Sequence, residues 1–313
     1  MQRFAAIPAQ EQHAVSGPLL RDEADLLRHN VVLITLDSCR FDTAVRATTP
    51  ALDSIGELRR AETYGSFTLP AHMAIFGGFL PNVREEPLRD FYSKECRQLW
   101  RLGRARHPQR PRHLLLLSGD NIIEGYSNLG YRTIGAGGVR WFSSGYLPSL
   151  FDEFHYWGPA CDATDKFAPR TEEDFALSYA QHIAERAAEA GRFFLFINAA
   201  ETHAPYGTGR GQVDVDPILR RWSAHWNGAS PLPYGKEPAM DMALLHAAQI
   251  AALETIDRRM RVLLDMLPGP MLVIICGDHG EAFGESSMWG HDFPAGAVMD
   301  VPLWIGTVDK ATS

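Results

Sequence analysis

Three short apolar runs punctuate the chain: Val31 to Leu36, Phe193 to Ile197 and Met271 to Cys276. Each is rich in β-branched or aromatic residues and shows little alternation, as expected of strands buried on both faces of a parallel sheet. Each leads into a polar cluster: Asp37-Ser38, Glu201-Thr202-His203 and Asp278-His279. Open α/β sheets place their active sites beyond the carboxyl ends of such strands. The pattern therefore predicts three clusters along one edge of one sheet. Between the runs, Thr171 to Ala190 reads as a helix, with Glu172, Glu173 and Asp174 in its first turn and Gly191 at its end. Met240 to Leu267 reads as a second helix, with Leu253, Ile256, Met260 and Leu264 at helical spacing and a stop at Pro268-Gly269-Pro270. Strands alternating with helices predict an α/β fold, a three-layer α/β/α sandwich with a mostly parallel central sheet.

A further pattern lies at Gly65-Ser66-Phe67-Thr68-Leu69-Pro70-Ala71-His72, followed by an apolar stretch to Phe79. Its spacing predicts a helix with Thr68 as N-cap and Pro70 in the first turn. A hydroxyl there stands beside free N–H groups and the positive end of the helix dipole, which favours an anionic phosphoryl group.

Composition narrows the picture. The 313 residues, 45% hydrophobic, suffice for one large core. We expect an N-terminal extension over residues 1–29, a single catalytic domain over 30–313, and a variable insert at about 82–165. A net charge of -8 gives no electrostatic case for a nucleic-acid polymer as partner. No apolar run reaches 18 residues and the N-terminus lacks the apolar core of a signal peptide, so neither a membrane partner nor export is expected. Cysteines at 39, 96, 161 and 276 form no CxxC pair, which fits reduced thiols and a cytoplasmic setting. The arginines at 97, 101, 104, 106, 110 and 112 read as a solvated loop or as a basic rim near an anionic substrate. Oligomeric state is not legible.

The chemistry concentrates at the strand ends. Asp37 offers an oxygen ligand to a hard or borderline cation, and Asp278-His279, with His291 twelve residues after His279, adds oxygen and nitrogen ligands. The segments VVLITLDSCRFD, TTPALDSI, SFTLPAHMAIFGGFLP, ETHAPY, DHGEAFGE followed by GH, and VPLWIG resemble, in content and order, sulfatase-like members of the alkaline phosphatase superfamily. The resemblance runs from about Val31 to Ile305.

It implies an alkaline-phosphatase-like fold and a metal-dependent hydrolase acting on a small soluble phosphorylated molecule. Asp37, Thr68, Asp278 and His279 match the ligands of the metal that activates the nucleophile. His203 and His291 match histidines that bind a second metal, or that contact phosphoryl oxygens in members holding one. The implied cofactor is one or two divalent ions, Zn²⁺ or Mn²⁺ first, with Mg²⁺ or Ca²⁺ admissible. Sulfatases carry Cys or Ser within C/S-x-P-x-R, converted to formylglycine; here Thr68 and His72 stand at the nucleophile and Arg positions. Threonine cannot be converted, so the resemblance implies attack by Thr68 on phosphorus and a phosphothreonine intermediate. His72 and helix N–H groups are expected to hold equatorial phosphoryl oxygens. Glu201 is a weaker match beside His203. Arg40 reads as a supporting ion pair with Asp42, ahead of direct substrate contact, and Glu281 as a carboxylate orienting His279 or His291. Phosphotransfer or mutase chemistry is the neighbouring alternative; a sulfatase or a non-catalytic binder stands further off.

Overall fold

The structure, a computed structural model, describes residues 27–78, 100–102, 115–117, 121–143, 145–159, 170–207, 213–226, 228–229 and 234–309. Its centre is a seven-stranded sheet of β1 (Asn30–Leu36), β2 (Arg59–Glu62), β3 (Arg132–Gly137), β4 (Glu153–Tyr156), β5 (Phe193–Ala199), β6 (Met271–Gly277) and β7 (Asp300–Val308). The order across the sheet is β2-β7-β6-β1-β5-β3-β4. β1 is central and pairs in parallel with β5 and β6, with Leu36 opposite both Ala199 and Gly277. Only β7 runs against the rest, between β6 and β2. The three apolar runs of the sequence are thus the three adjacent central strands, and their carboxyl ends lie side by side.

Strand alternation splits the core in two. Val32, Ile34 and Leu36 of β1 join Phe193, Leu195 and Ile197 of β5 on one face. There they meet Ala44 of α1 (Phe41–Arg46), Ile183 of α4 (Ala180–Ala190) and Ile256 and Met260 of α6 (Pro238–Met266). Leu245 and Ala248 of α6 also pack with Ile218 and Trp222 of α5 (Asp216–Trp226). Val31 and Leu33 point the other way, with Phe194 and Phe196. Facing them are Phe76 of α2 (Thr68–Gly77), Ile123 of α3 (Ile122–Asn128) and Phe142. Each such side chain contributes roughly 1.5–3 kcal/mol by leaving water. Two packed faces fix the register of β1, because a slip of one residue would exchange them. This is the expected three-layer arrangement.

Three local features depart from expectation. β3 and β4, within the segment read as a variable insert, complete one side of the central sheet. The helix read from Thr171 starts regularly only at Ala180, after two single turns at Glu172–Asp174 and Ala176–Tyr179. A capping box between Thr171 and Asp174 closes the first turn, and Phe175, Ala176 and Leu177 then turn into the core. At α2 the cap is Phe67, in extended conformation and without a side-chain bond, so Thr68 is the first helical residue. Its hydroxyl faces Asp37 instead of capping the helix. The expected N-terminal extension falls almost wholly outside the described residues, as do Cys96, Cys161 and every segment of the arginine-rich stretch except residues 100–102, whose backbone pairs in parallel with 115–117.

Candidate metal centre

Asp37, fully buried, directly follows β1 and precedes Ser38 at φ 59, a left-handed turn that a non-glycine residue adopts only when its surroundings enforce it. The turn brings the Ser38 N–H to Asp278 Oδ1 at 3.2 Å, so the β1 and β6 ends are bonded together. The His279 N–H donates to the same oxygen at 2.8 Å. Among the described residues Asp278 Oδ2 has no hydrogen-bond partner, and neither has His279 Nε2, 3.6 Å away; both are buried. The other nitrogen of His279, Nδ1, donates to the Gly280 carbonyl at 2.9 Å, which fixes the tautomer and leaves Nε2 as a bare lone pair. Asp37 Oδ1 lies 3.9 Å from that nitrogen. Ligand atoms of Asp37, Asp278 and His279 lie within 4.8 Å of one another.

Two buried carboxylates and an imidazole lone pair converging on one point suit a divalent cation. The electrostatics of the bare site agree. Burial and the neighbouring Asp37 push the Asp278 carboxyl well above the usual range. Burial opposes charge on Asp37 as well, but the surrounding histidines, His203 and His279 first, outweigh it and hold its pKa low. Burial drives His279 down to about 3, so the ring is neutral and free to ligate. A cation would let both carboxylates ionise together.

Thr68 Oγ1 stands 3.4 Å from Asp37 Oδ2, at the start of α2 and beside the ligand cluster. His203 and His291 form the more open side, with ring centroids 5.6 Å apart; His291 lies 4.7 Å from His279. His203 Nδ1 donates to the Ala204 carbonyl at 2.5 Å. His291 Nδ1 meets Glu281 Oε1 at 3.1 Å, and Tyr206 donates to Glu281 Oε2 at 3.4 Å. Glu281 therefore orients His291, not His279. Burial works against a charge on His291, but the Glu281 hydrogen bond and charge raise its pKa, whereas burial lowers that of His203.

Arg40 acts from behind. Its guanidinium pairs with Asp42 through two contacts of 2.7 and 2.8 Å, with Glu285 at 2.6 Å, and with the Glu281 carbonyl at 3.1 Å. Glu201 is turned toward Arg259 of α6, 2.9 Å away, and stands outside the compact ligand cluster.

His72 departs from its expected role. Nδ1 donates to the Thr68 carbonyl at 2.7 Å, and Nε2 accepts from the Thr35 hydroxyl at 2.9 Å. Phe76, Phe142 and Phe196 close around the ring edge-on, and burial drops its pKa to about 4. With both nitrogens engaged, a neutral His72 braces Thr68 and has no donor for a phosphoryl oxygen. The sequence reading missed Thr35 and Asn198, which extend this brace. Asn198 Nδ2 donates at 3.3 Å to both Thr35 Oγ1 and Asp37 Oδ2. The available signal was an asparagine inside the apolar run FFLFINA.

No protein-family model and no curated protein sequence matches the chain. Solved structures do match. The C-terminal periplasmic domain of EcEptC from Escherichia coli superposes with a TM-score of 0.57 at 15% identity, over 93% of this chain and 76% of that one. A phosphonate monoester hydrolase of Agrobacterium radiobacter gives 0.54 at 17% identity, over 89% and 68%. A protein in the alkaline phosphatase superfamily from Vibrio parahaemolyticus gives 0.50 at 17%, over 89% and 60%. A zinc complex of the first domain and a phosphoethanolamine transferase domain from Campylobacter jejuni also align. At such identities the likeness speaks for architecture: the chain has the fold of the alkaline phosphatase superfamily.

Proposed function

We propose that the chain is a metal-dependent phosphoester hydrolase in which Thr68 attacks phosphorus. The observation that carries the reading is the Thr68 hydroxyl beside Asp37, where the unpartnered Asp278 Oδ2 and His279 Nε2 converge. Asp37, Asp278 and His279 would hold a divalent cation, which would supply the Lewis acidity that makes a threonine hydroxyl nucleophilic near neutral pH. Zn²⁺ or Mn²⁺ suits the mixed oxygen and nitrogen donors, and zinc is present in the EcEptC complex.

Thr68, having given its hydroxyl proton to solvent, bonds through Oγ to phosphorus as the bond to the leaving oxygen breaks. His291, whose raised pKa favours the protonated ring, gives that oxygen its proton. Water then displaces the phosphoryl group from Thr68, its proton passing to His203 or His291 while Thr68 Oγ leaves as the alkoxide that attacks in the next turnover. Because these two histidines stand outside the compact cluster, we assign them to the substrate side of a one-metal site. The free N–H groups at the start of α2 face the equatorial oxygens. His72 keeps Thr68 in place.

We take the substrate to be a small soluble phosphorylated metabolite and residues 30–313 to form one catalytic domain. No helix among the described residues is long and apolar enough to cross a membrane. The cytoplasmic assignment rests on the free thiols of Cys39 and Cys276. Transfer of the phosphoryl group to an alcohol is the second reading, favoured by the phosphoethanolamine transferase among the structural matches.

Metal-stripped protein restored with Zn²⁺ or Mn²⁺ should turn over an aryl phosphate monoester, the matching diester, or both. A faster monoester points to a phosphatase or mutase, and a faster diester to a phosphodiesterase. A phosphorylated alcohol formed in the presence of added acceptor marks transfer. Metal-loaded protein inert toward both esters would contradict the hydrolase reading.

A further inference from the structure

Gln249 lies within α6, and its side chain is completely buried. A buried primary amide is destabilising unless its donors and acceptor are met. Here the oxygen accepts from the Thr43 hydroxyl at 2.6 Å and from the Arg40 N–H at 3.4 Å. The nitrogen donates to the Ser38 carbonyl at 2.8 Å and to the Thr202 carbonyl at 3.1 Å. Two donors on one side and two carbonyls on the other permit a single orientation of the amide.

The two carbonyls belong to different loops. Ser38 follows Asp37 at the end of β1 and holds the left-handed turn; Thr202 precedes His203 beyond β5. A second link runs alongside, from the Thr202 hydroxyl to the Asp37 carbonyl at 2.7 Å. We infer that Gln249 is a positioning residue for the metal centre: its carboxamide clamps the Asp37 loop to the His203 loop through their backbones, and so sets where both side chains stand. It touches neither metal nor substrate. The inference rests on the metal-dependent reading above.

The test is Zn²⁺ binding to metal-free protein, by competition with a chelating dye, together with thermal unfolding of the same metal-free samples. Gln249→Glu preserves volume but sets a carboxylate against two carbonyls. We expect its Zn²⁺ affinity to fall roughly 10–100-fold, the usual scale for lost supports of metal ligands. Asp257→Asn is the control: Asp257, on the same helix, accepts the Ala51 and Leu52 N–H groups and has no bond to the site loops. It should lower Tm and leave Zn²⁺ affinity within about threefold, as independent sites do. If Gln249→Glu lowers Tm but also keeps wild-type affinity, Gln249 is only a packing residue and the inference fails. Should that variant not fold, Thr43→Val removes only the hydroxyl that orients the amide. Several-fold weaker Zn²⁺ binding then supports the clamp, and unchanged binding overturns it. Failure of wild-type protein to bind Zn²⁺ would instead strike the metal-dependent reading itself.

Discussion

At the scale of single residues, the site is built on groups whose charge is controlled by burial. His72 is the clearest case, because its ring is enclosed by Phe76, Phe142 and Phe196 and its pKa falls from 6.5 to about 4. In the unfolded chain the same ring takes up a proton below about pH 6.5. Between pH 6.5 and 4 the unfolded state therefore binds more protons there, and stability falls as the pH falls. The slope assignable to this ring is about 1.4 kcal/mol per pH unit at most. Subtracting the pH–stability curve of metal-free His72→Gln from that of metal-free wild type should isolate the slope. Parallel curves would mean that His72 titrates normally in the folded state. Gln249 and Asn198 show why this scale is only partly legible in sequence. Asp37, Asp278 and His279 are announced by their place after apolar runs, whereas a buried glutamine among helical residues looks like any solvated polar position.

At the scale of elements, a secondary-structure signal survived where burial was deepest. The runs that became β1, β5 and β6 are apolar because both faces are covered, so the sequence shows them plainly. β2 reads RRAE and β4 reads EFHY; both lie at sheet edges, where polar residues are tolerated. β3 reads RTIGAG, and its Gly135 and Gly137 make room for the Phe154, Phe151 and Phe142 rings, leaving little apolar pattern to detect. The turn into α2 depends on a similar close approach. A methyl group added at Gly65 would lie 2.6 Å from Ala71 Cα and 2.7 Å from Pro70 C, both backbone atoms. Gly65→Ala should therefore push the first turn of α2 away and move Thr68. We expect a stability loss of about 1–3 kcal/mol and a kcat loss of about 100-fold. Denaturant unfolding and steady-state kinetics would check both, and unchanged kcat would show that the turn does not position Thr68.

For the whole molecule, the arrangement follows from putting three covered strands at the centre of one sheet. Their carboxyl ends gather the buried candidate ligands, α2 brings Thr68 to them from one face, and α6 anchors the loops from the other. His203 and His291 are left on the accessible side. The fold class and the convergence of Asp37, Asp278 and His279 were legible because order along the chain and position across the sheet coincide at these strand ends. The insert expected at about 82–165 and residues 204–240 carry no such motif. Selectivity was accordingly not readable. The most direct test of the account is Thr68→Ala, assayed on an aryl phosphate ester with bound metal quantified in the same sample. Since Asp37, Asp278 and His279 are untouched, the variant should keep its metal and lose about 10³-fold or more in kcat. A metal-loaded Thr68→Ala protein that retains a tenth of wild-type activity would contradict Thr68 as the nucleophile.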